Sequence, residues 1–307
     1  MAITQEQLDA LNIAAQGKFQ QAIEKYDMGF LGQLALSVTS THASETYTGL
    51  NQLPDLDKFI DEVKYTQILG KSHMIENEEF AGGVTIQSKD VEDDNLGLFP
   101  SRISDLGTVA ANKPLRQVIK MLENGNNSSM GIAYDGSNFF ATDHKDGKAS
   151  YSNLLTGSGT TASQFEADFT KAVAALKRLP NDAGNPFYGD LSVSAANLLV
   201  VVPTELEIVA QKVLTTTFGA NGADNVLKNR AQIASPALLT DPNDWYLVFT
   251  GSSMKPIIHQ NRKAPEIVLP TLNDESYKKH LKLEYMANTR FGTGWAFPQL
   301  ALKIVNG

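Results

Sequence analysis

The stretch "NLLVVVPTELEIVAQKVL", Asn197 to Leu214, holds two readings side by side. Its first half, residues 197–203, is an unbroken apolar run, the mark of a strand covered on both faces. Its second half repeats apolar residues at Leu206, Val209, Ala210 and Val213, which predicts a helix, with Thr204 and Glu207 placed as a capping box. A second helix is expected upstream from Ser163. Glu166 completes its capping box, and Phe165, Phe169, Val173 and Leu176 form its buried face. Helix, buried strand and helix together make a compact α/β unit.

Working outward, residues 4–25 read as an amphipathic helix through Leu8, Leu11, Ala15, Phe19 and Ile23, with Thr4 and Gln7 as its capping box. Gly29 and Gly32 interrupt that pattern, and the chain then turns to extended, β-branched sequence. Between Ile103 and Leu122 one apolar stripe runs for about six turns. It ends at Gly125, and Pro114 is expected to kink or split it. Residues 45–85 are polar, with short extended candidates at 46–50, 63–69 and 73–80, a short helix at 56–63, and a strand through Val84 and Ile86. Such a segment buries little by itself and needs another surface to lie against. Strands are expected at 245–249, 256–260, 281–286 and 300–305. The order gives an α+β chain with protruding appendages.

The composition sets limits. The 307 residues contain 42% apolar residues, no cysteine and a formal net charge of −8. The absence of cysteine excludes disulfides and thiolate chemistry. The acidic balance opposes phosphate-driven nucleic-acid binding. The start, "MAITQEQLDALNIAAQGKFQ", lacks the basic head and apolar run of a signal peptide, and no apolar run reaches the length of a membrane helix.

Several short stretches gather residues that can carry chemistry. "YDGSNFFATDH", Tyr134 to His144, gathers Asp135, Ser137, Asp143 and His144 around an Asp-Gly turn. It has no Gly-x-Ser-x-Gly elbow, so Asp135-Gly136 is read as the turn of a hairpin. "SSMK", Ser252 to Lys255, matches Ser-x-x-Lys, but Pro256 follows and no companion motif is present. "GSGTTA", Gly157 to Ala162, has dinucleotide-loop spacing without a convincing strand before it. Asp90, Glu92, Asp93 and Asp94 lack the alternation of a calcium loop and read as an acidic turn. Histidines 42, 73, 144, 259 and 280 have no metal spacing, and Arg262-Lys263 is too small for a nucleic-acid patch. No nucleophile, base and electrophile assemble, so no enzymatic activity, cofactor or metal is expected.

Five stretches carry a resemblance: "VEDDNLGLF" (91–99), "YDGSNFF" (134–140), "LLVVVPTELEIVAQKVL" (198–214), "KPIIHQNRKAPEIV" (255–268) and "ANTRFGTGWAFPQLALKIV" (287–305). In this order they resemble the major head subunit of Mu-like bacteriophages and prophages, from the N-terminal helix to the last strand. The resemblance implies the Hong Kong 97 capsid fold. It implies an N-terminal arm at 1–44, an extended E-loop at 45–85, and a peripheral domain at 86–150 with a spine helix at 99–124. An axial domain at 151–250 and late strands at 251–307, returning to the peripheral domain, complete it. It implies a virion protein, assembled in the host bacterial cytoplasm, that forms hexamers and pentamers of an icosahedral head around double-stranded DNA. Portal and scaffold proteins are the implied partners, with DNA contacted non-specifically if at all and no membrane. On the E-loop, Ile68, Leu69, Met74 and Ile75 are expected to meet a neighbouring subunit. An encapsulin-type nanocompartment shell, which shares the fold, is the alternative.

Overall fold

The computed structural model describes residues 3–26, 29–47, 72–93, 97–147, 149–181, 184–187, 197–218, 222 and 224–307. The expected helix at 56–63 and strand at 63–69 lie outside them. The helices are α1 (Gln5–Lys25), α2 (Gly29–Leu34), α3 (Ser88–Glu92), α4 (Phe99–Asn124), α5 (Ala162–Arg178), α6 (Glu207–Leu214) and α7 (Glu275–His280). The early strands are β1 (Ala35–Thr39), β2 (Ser44–Tyr47), β3 (His73–Glu76) and β4 (Glu78–Gln87). Next come β5 (His144–Asp146), β6 (Ala149–Tyr151), β7 (Leu154–Thr156), β8 (Leu198–Val201) and β9 (Gln232–Ala234). The late strands are β10 (Trp245–Phe249), β11 (Ile257–Val268), β12 (Lys282–Trp295) and β13 (Ala301–Val305).

Two sheets organise the chain. One has the order β7-β13-β10-β8-β9. Its central strands explain why the 197–203 run is apolar throughout. Leu198 and Val200 face the core beneath α5 and α6, while Leu199 and Val201 face the core on the opposite side. Trp245, Leu247 and Phe249 of β10 share the first face, and Tyr246 and Val248 the second. With no solvent face, neither strand alternates. The other sheet has the order β1-β11-β12-β4, with β11 and β12 an antiparallel pair that bulges between Asn261 and Glu266.

Helix α4 joins the two sheets. At 1.5 Å per residue it is about 39 Å long. Phe99, Ile103 and Ala110 pack with α1 and the four-stranded sheet. Val118, Ile119, Met121 and Leu122 pack on the back of the five-stranded sheet. Its far end is fastened there. Buried Lys303 on β13 donates from Nζ to the Glu123 carbonyl at 3.0 Å and pairs with Asp244 at 3.2 Å. A cation at a helix C-terminus also meets the helix dipole favourably.

Several expectations need correction. α4 is not split at Pro114 but runs through it as one helix, with packing on both sides of the turn that lacks its amide bond. Gly125 does end it, but with φ −68, so no left-handed cap is involved. A Cβ there would stand 2.7 Å from the Phe140 ring, so close packing selects glycine. α5 is capped by Thr161 with Gln164, two residues before the expected Ser163 and Glu166. α6 has no side-chain cap, since Thr204 donates to Glu205 instead. The first helix ends before the glycines, at Lys25, and Gly29 and Gly32 themselves lie in the short separate helix α2. β13 lies in the five-stranded sheet beside β10, so the last strand does not return with β11 and β12 to the other sheet.

Candidate functional site

Tyr134 to His144 folds as a tight turn rather than the expected hairpin. Gly136 N donates to Ala133 O at 3.0 Å, and Ala133 N to Ser137 O at 2.8 Å. Gly136 has φ +87, a conformation that side chains with a Cβ resist. Asp135 Oδ1 accepts from the Ser137 amide at 3.1 Å. The hairpin comes later, between β5 and β6, and His144 opens its first strand rather than lying in a turn.

Sequence spacing did not reveal that Asp135 and His144 pair directly. His144 Nδ1 lies 2.7 Å from Asp135 Oδ2. Its Nε2 faces two further acceptors at 3.1 Å, the Phe139 carbonyl and Asn153 Oδ1. Asn153 is oriented by the Ala141 amide, which donates to its Oδ1, and by its own Nδ2, which donates to Phe139 O and Pro298 O. Both ring nitrogens therefore face oxygen atoms of the protein. Burial alone would raise the Asp135 carboxyl, but the His144 hydrogen bond and charge hold it below the ordinary value. Side-chain exposure is 0% for His144 and 1% for Asp135, so no substrate reaches the pair. Tyr134 donates to Asp146 at 2.7 Å beside it. The group holds a loop and has no free base.

The other motifs do not converge either. Lys255 Nζ donates to the carbonyls of Thr250 and Ser252, which makes it the clamp of its own loop. In the Gly157–Ala162 stretch, Ser158 N and Oγ donate to buried Asp168 and Gly159 N donates to Asn306. That fixes the loop with protein partners. Asp90 and Glu92 lie in α3 with Asp93 just after it, and Asp94 lies outside the described residues. Arg262 donates to Ser40 O, while Lys263 pairs with Glu266. Among the described residues no group of three His, Asp or Glu could hold a metal, and no helix is long and apolar enough to cross a membrane.

A built arrangement stands instead at the base of the β2–β3 ladder, which pairs Ser44 with Glu76 through Tyr47 with His73. Gln260, fully buried on β11, donates to Ile75 O at 3.0 Å and Asn77 Oδ1 at 2.9 Å, and accepts from Tyr47 at 3.0 Å. Asn77 donates to Ser40 Oγ and His42 O. The Glu45 carboxylate accepts from the Thr41 amide, the Ser40 hydroxyl and the His42 amide, and these bonds, led by Thr41, hold its pKa down at about 2. The stem crosses β12 at two glycines. A Cβ on Gly292 would come within 2.9 Å of Ile75 Cγ2, and one on Gly294 would strike the same side chain.

Of the four apolar residues expected on a neighbour, Met74 points outward and is exposed. Ile75 is buried in its own subunit's core, since strand alternation puts it opposite Met74, and it is not available to a neighbour. Ile68 and Leu69 lie outside the described residues.

The family model for the Mu-like prophage major head subunit gpT matches residues 8–165, 162–239 and 238–306. The chain belongs to the Mu-like prophage major head subunit family. It is 27% identical over 301 residues to the Mu-like prophage FluMu major head subunit of Haemophilus influenzae, covering 97% of this chain and 73% of that relative. Over 144 residues it is 31% identical to the major capsid protein of Escherichia phage Mu, covering 47% of this chain and 46% of that one. The bacteriophage JBD30 procapsid subunit superposes with a TM-score of 0.58 at 25% identity, over 98% of this chain and 75% of its own. A virus-like particle from Pyrococcus furiosus, at 11% identity and TM-score 0.56 over 95% of this chain and 98% of its own, shares the fold. This head-subunit family member has the Hong Kong 97 capsid fold and is a major capsid protein of a phage head, part of the virion shell.

Proposed function

We propose that the chain builds its icosahedral head around packaged double-stranded DNA by lending residues 48–71, carried on the β2–β3 stem, to a neighbouring subunit. The carrying observation is the stem itself. Gln260, Asn77 and Glu45 fix both strands of this stem to their own sheet, so the two ends that carry the segment are firmly anchored. Met74 on the stem, with Ile208, Phe218 and Val226 on the five-stranded unit, leaves apolar surface open to water. Contact between copies removes such surface at roughly 25 cal/mol per Å².

In this reading α1 to β1 form the N-terminal arm, residues 45–85 the E-loop, and α4 the spine of a peripheral domain completed by β11 and β12. The five-stranded sheet with α5 and α6 forms the axial domain, now including β13. Hexamers and pentamers are the assembly units, portal and scaffold proteins the partners, and DNA a non-specific neighbour of an acidic shell. The role is structural, without enzymatic activity. Replacing residues 50–70 with a short Gly-Ser linker tests it. The subunit should unfold at a Tm close to the parent's, because every described core residue is kept, and fail to close shells when expressed with its scaffold. Normal shells in electron micrographs would show the loop to be dispensable.

A further inference from the structure

His259 lies on β11 back to back with Gln260. While Gln260 grips the β2–β3 stem, the His259 ring faces the other way, toward α1 and α4. It is buried, and its Nδ1 has no hydrogen-bond partner. The ring meets Phe291 edge-on at 5.2 Å. It lines a small cavity of about 110 Å³ where four elements meet. Ile23 and Tyr26 come from α1 and its end, Ala111 and Pro114 from α4, Asn261 and Pro265 from β11, and Thr289 and Phe291 from β12.

A buried polar atom without a partner costs stability, and a charge in its place costs far more. None of the polar groups in the lining bonds to Nδ1. The polar groups there are Tyr26, whose hydroxyl donates to Asn112, Asn261, and Thr289, whose hydroxyl donates to the Lys263 carbonyl. The charged side chains of the packed elements stand outside the cavity: Glu24 and Lys25 of α1, Lys113 and Arg116 of α4, Lys263 and Glu266 of β11, and Arg290 of β12. Glu24 accepts from Gln20 and Glu266 pairs with Lys263, both on the exposed surface.

We infer that His259 is an acid-sensitive latch, which keeps the N-terminal helix docked on α4 and the four-stranded sheet while its ring is neutral and releases that helix when the ring takes a proton. The cavity wall that can yield is α1. It is held by one face, through Leu8, Ala15, Phe19 and Ala22, whereas β11 and β12 are paired in a sheet and α4 packs on both sheets. Burial pulls the pKa of His259 down from 6.5 to about 4. A depressed histidine stabilises the docked state fully above pH 6.5, and that contribution is lost as the pH falls through 6.5 towards 4. With these two values the open fraction rises roughly 30-fold between pH 7.5 and pH 5.

Hydrogen exchange on the full-length chain, corrected for the intrinsic pH dependence of exchange, reads this directly. Residues 5–25 should lose at least tenfold of their protection between pH 7.5 and pH 5, while residues 245–249 and 301–305 keep theirs. In His259→Phe, and in His259→Gln should the phenyl ring not fit, the pH step in residues 5–25 should vanish. The idea is overturned if α1 opens equally in the variants, stays closed in the parent, or opens only together with the five-stranded sheet.

Discussion

Taking away one member of the His144–Asp135 pair leaves the other charge buried among groups arranged for its partner. His144→Ala should therefore cost about 3–5 kcal/mol in denaturant unfolding. The double change His144→Gln with Asp135→Asn should cost less than the sum of the single ones, because neither then leaves a lone charge. Gly136→Val should cost about 1–3 kcal/mol, since φ +87 is strained for a β-branched residue. Ser137→Ala should be nearly silent, because the turn uses that residue's amide and carbonyl. Glu45 gives a pH signature. Its folded pKa of about 2 lies below the ordinary 4.5, so the stem is stabilised above pH 4.5 and loosens as the pH falls towards 2. Amide exchange in β2 and β3 across that range, compared between the parent and Glu45→Gln, measures it; the variant should show no step.

Pairs of elements meet here at small residues. Gly107 lets α1 approach α4, and a Cβ at that position would stand 2.9 Å from Ala22 Cβ and from the Phe19 carbonyl. Gly107→Val should therefore loosen α1 while leaving the five-stranded sheet intact. Limited proteolysis within residues 5–25, with near-ultraviolet circular dichroism of Trp245 unchanged, is the expected result. At the stem, Ile75→Ala removes a side chain that fills the space over Gly294, a loss of about 2–5 kcal/mol by the general cost of core truncation. Met74→Ala on the opposite face of the same strand should leave the isolated subunit's Tm unchanged and weaken assembly.

Across the whole molecule, α4 packs on both sheets, with Lys303 and Asp244 pinning its end, and Ala35, Ile257, Ile258 and Trp295 of the four-stranded sheet enter the cores of the other. Lys303→Met removes the cation from the helix end and strands Asp244 in the interior. It should lower subunit stability by about 3–5 kcal/mol, and thermal unfolding should then separate into two steps as the sheets uncouple. A single cooperative transition in this variant would show that the shared apolar packing suffices to couple them.

The sequence by itself determined the elements whose signal is local. The α4 stripe, the α1 capping box and the apolar runs of β8 and β10 were legible because periodicity records how many faces a segment buries. The turn at Asp135-Gly136 was legible as well, since it depends on its own few residues. Only the tertiary structure decided what depends on distant partners. Whether Thr161 or Ser163 caps α5 turned on Ser158, Asp168 and Gln164 meeting in one loop. Whether Ile75 serves its own core or a neighbour turned on two glycines more than two hundred residues away in β12. That His144 finds Asp135, that Gln260 holds the stem, and that β13 joins β10 rather than β12 are likewise contacts between segments whose local sequence is compatible with other arrangements. A motif reports its own backbone preference; the identity of its partner follows from how the two sheets and α4 pack.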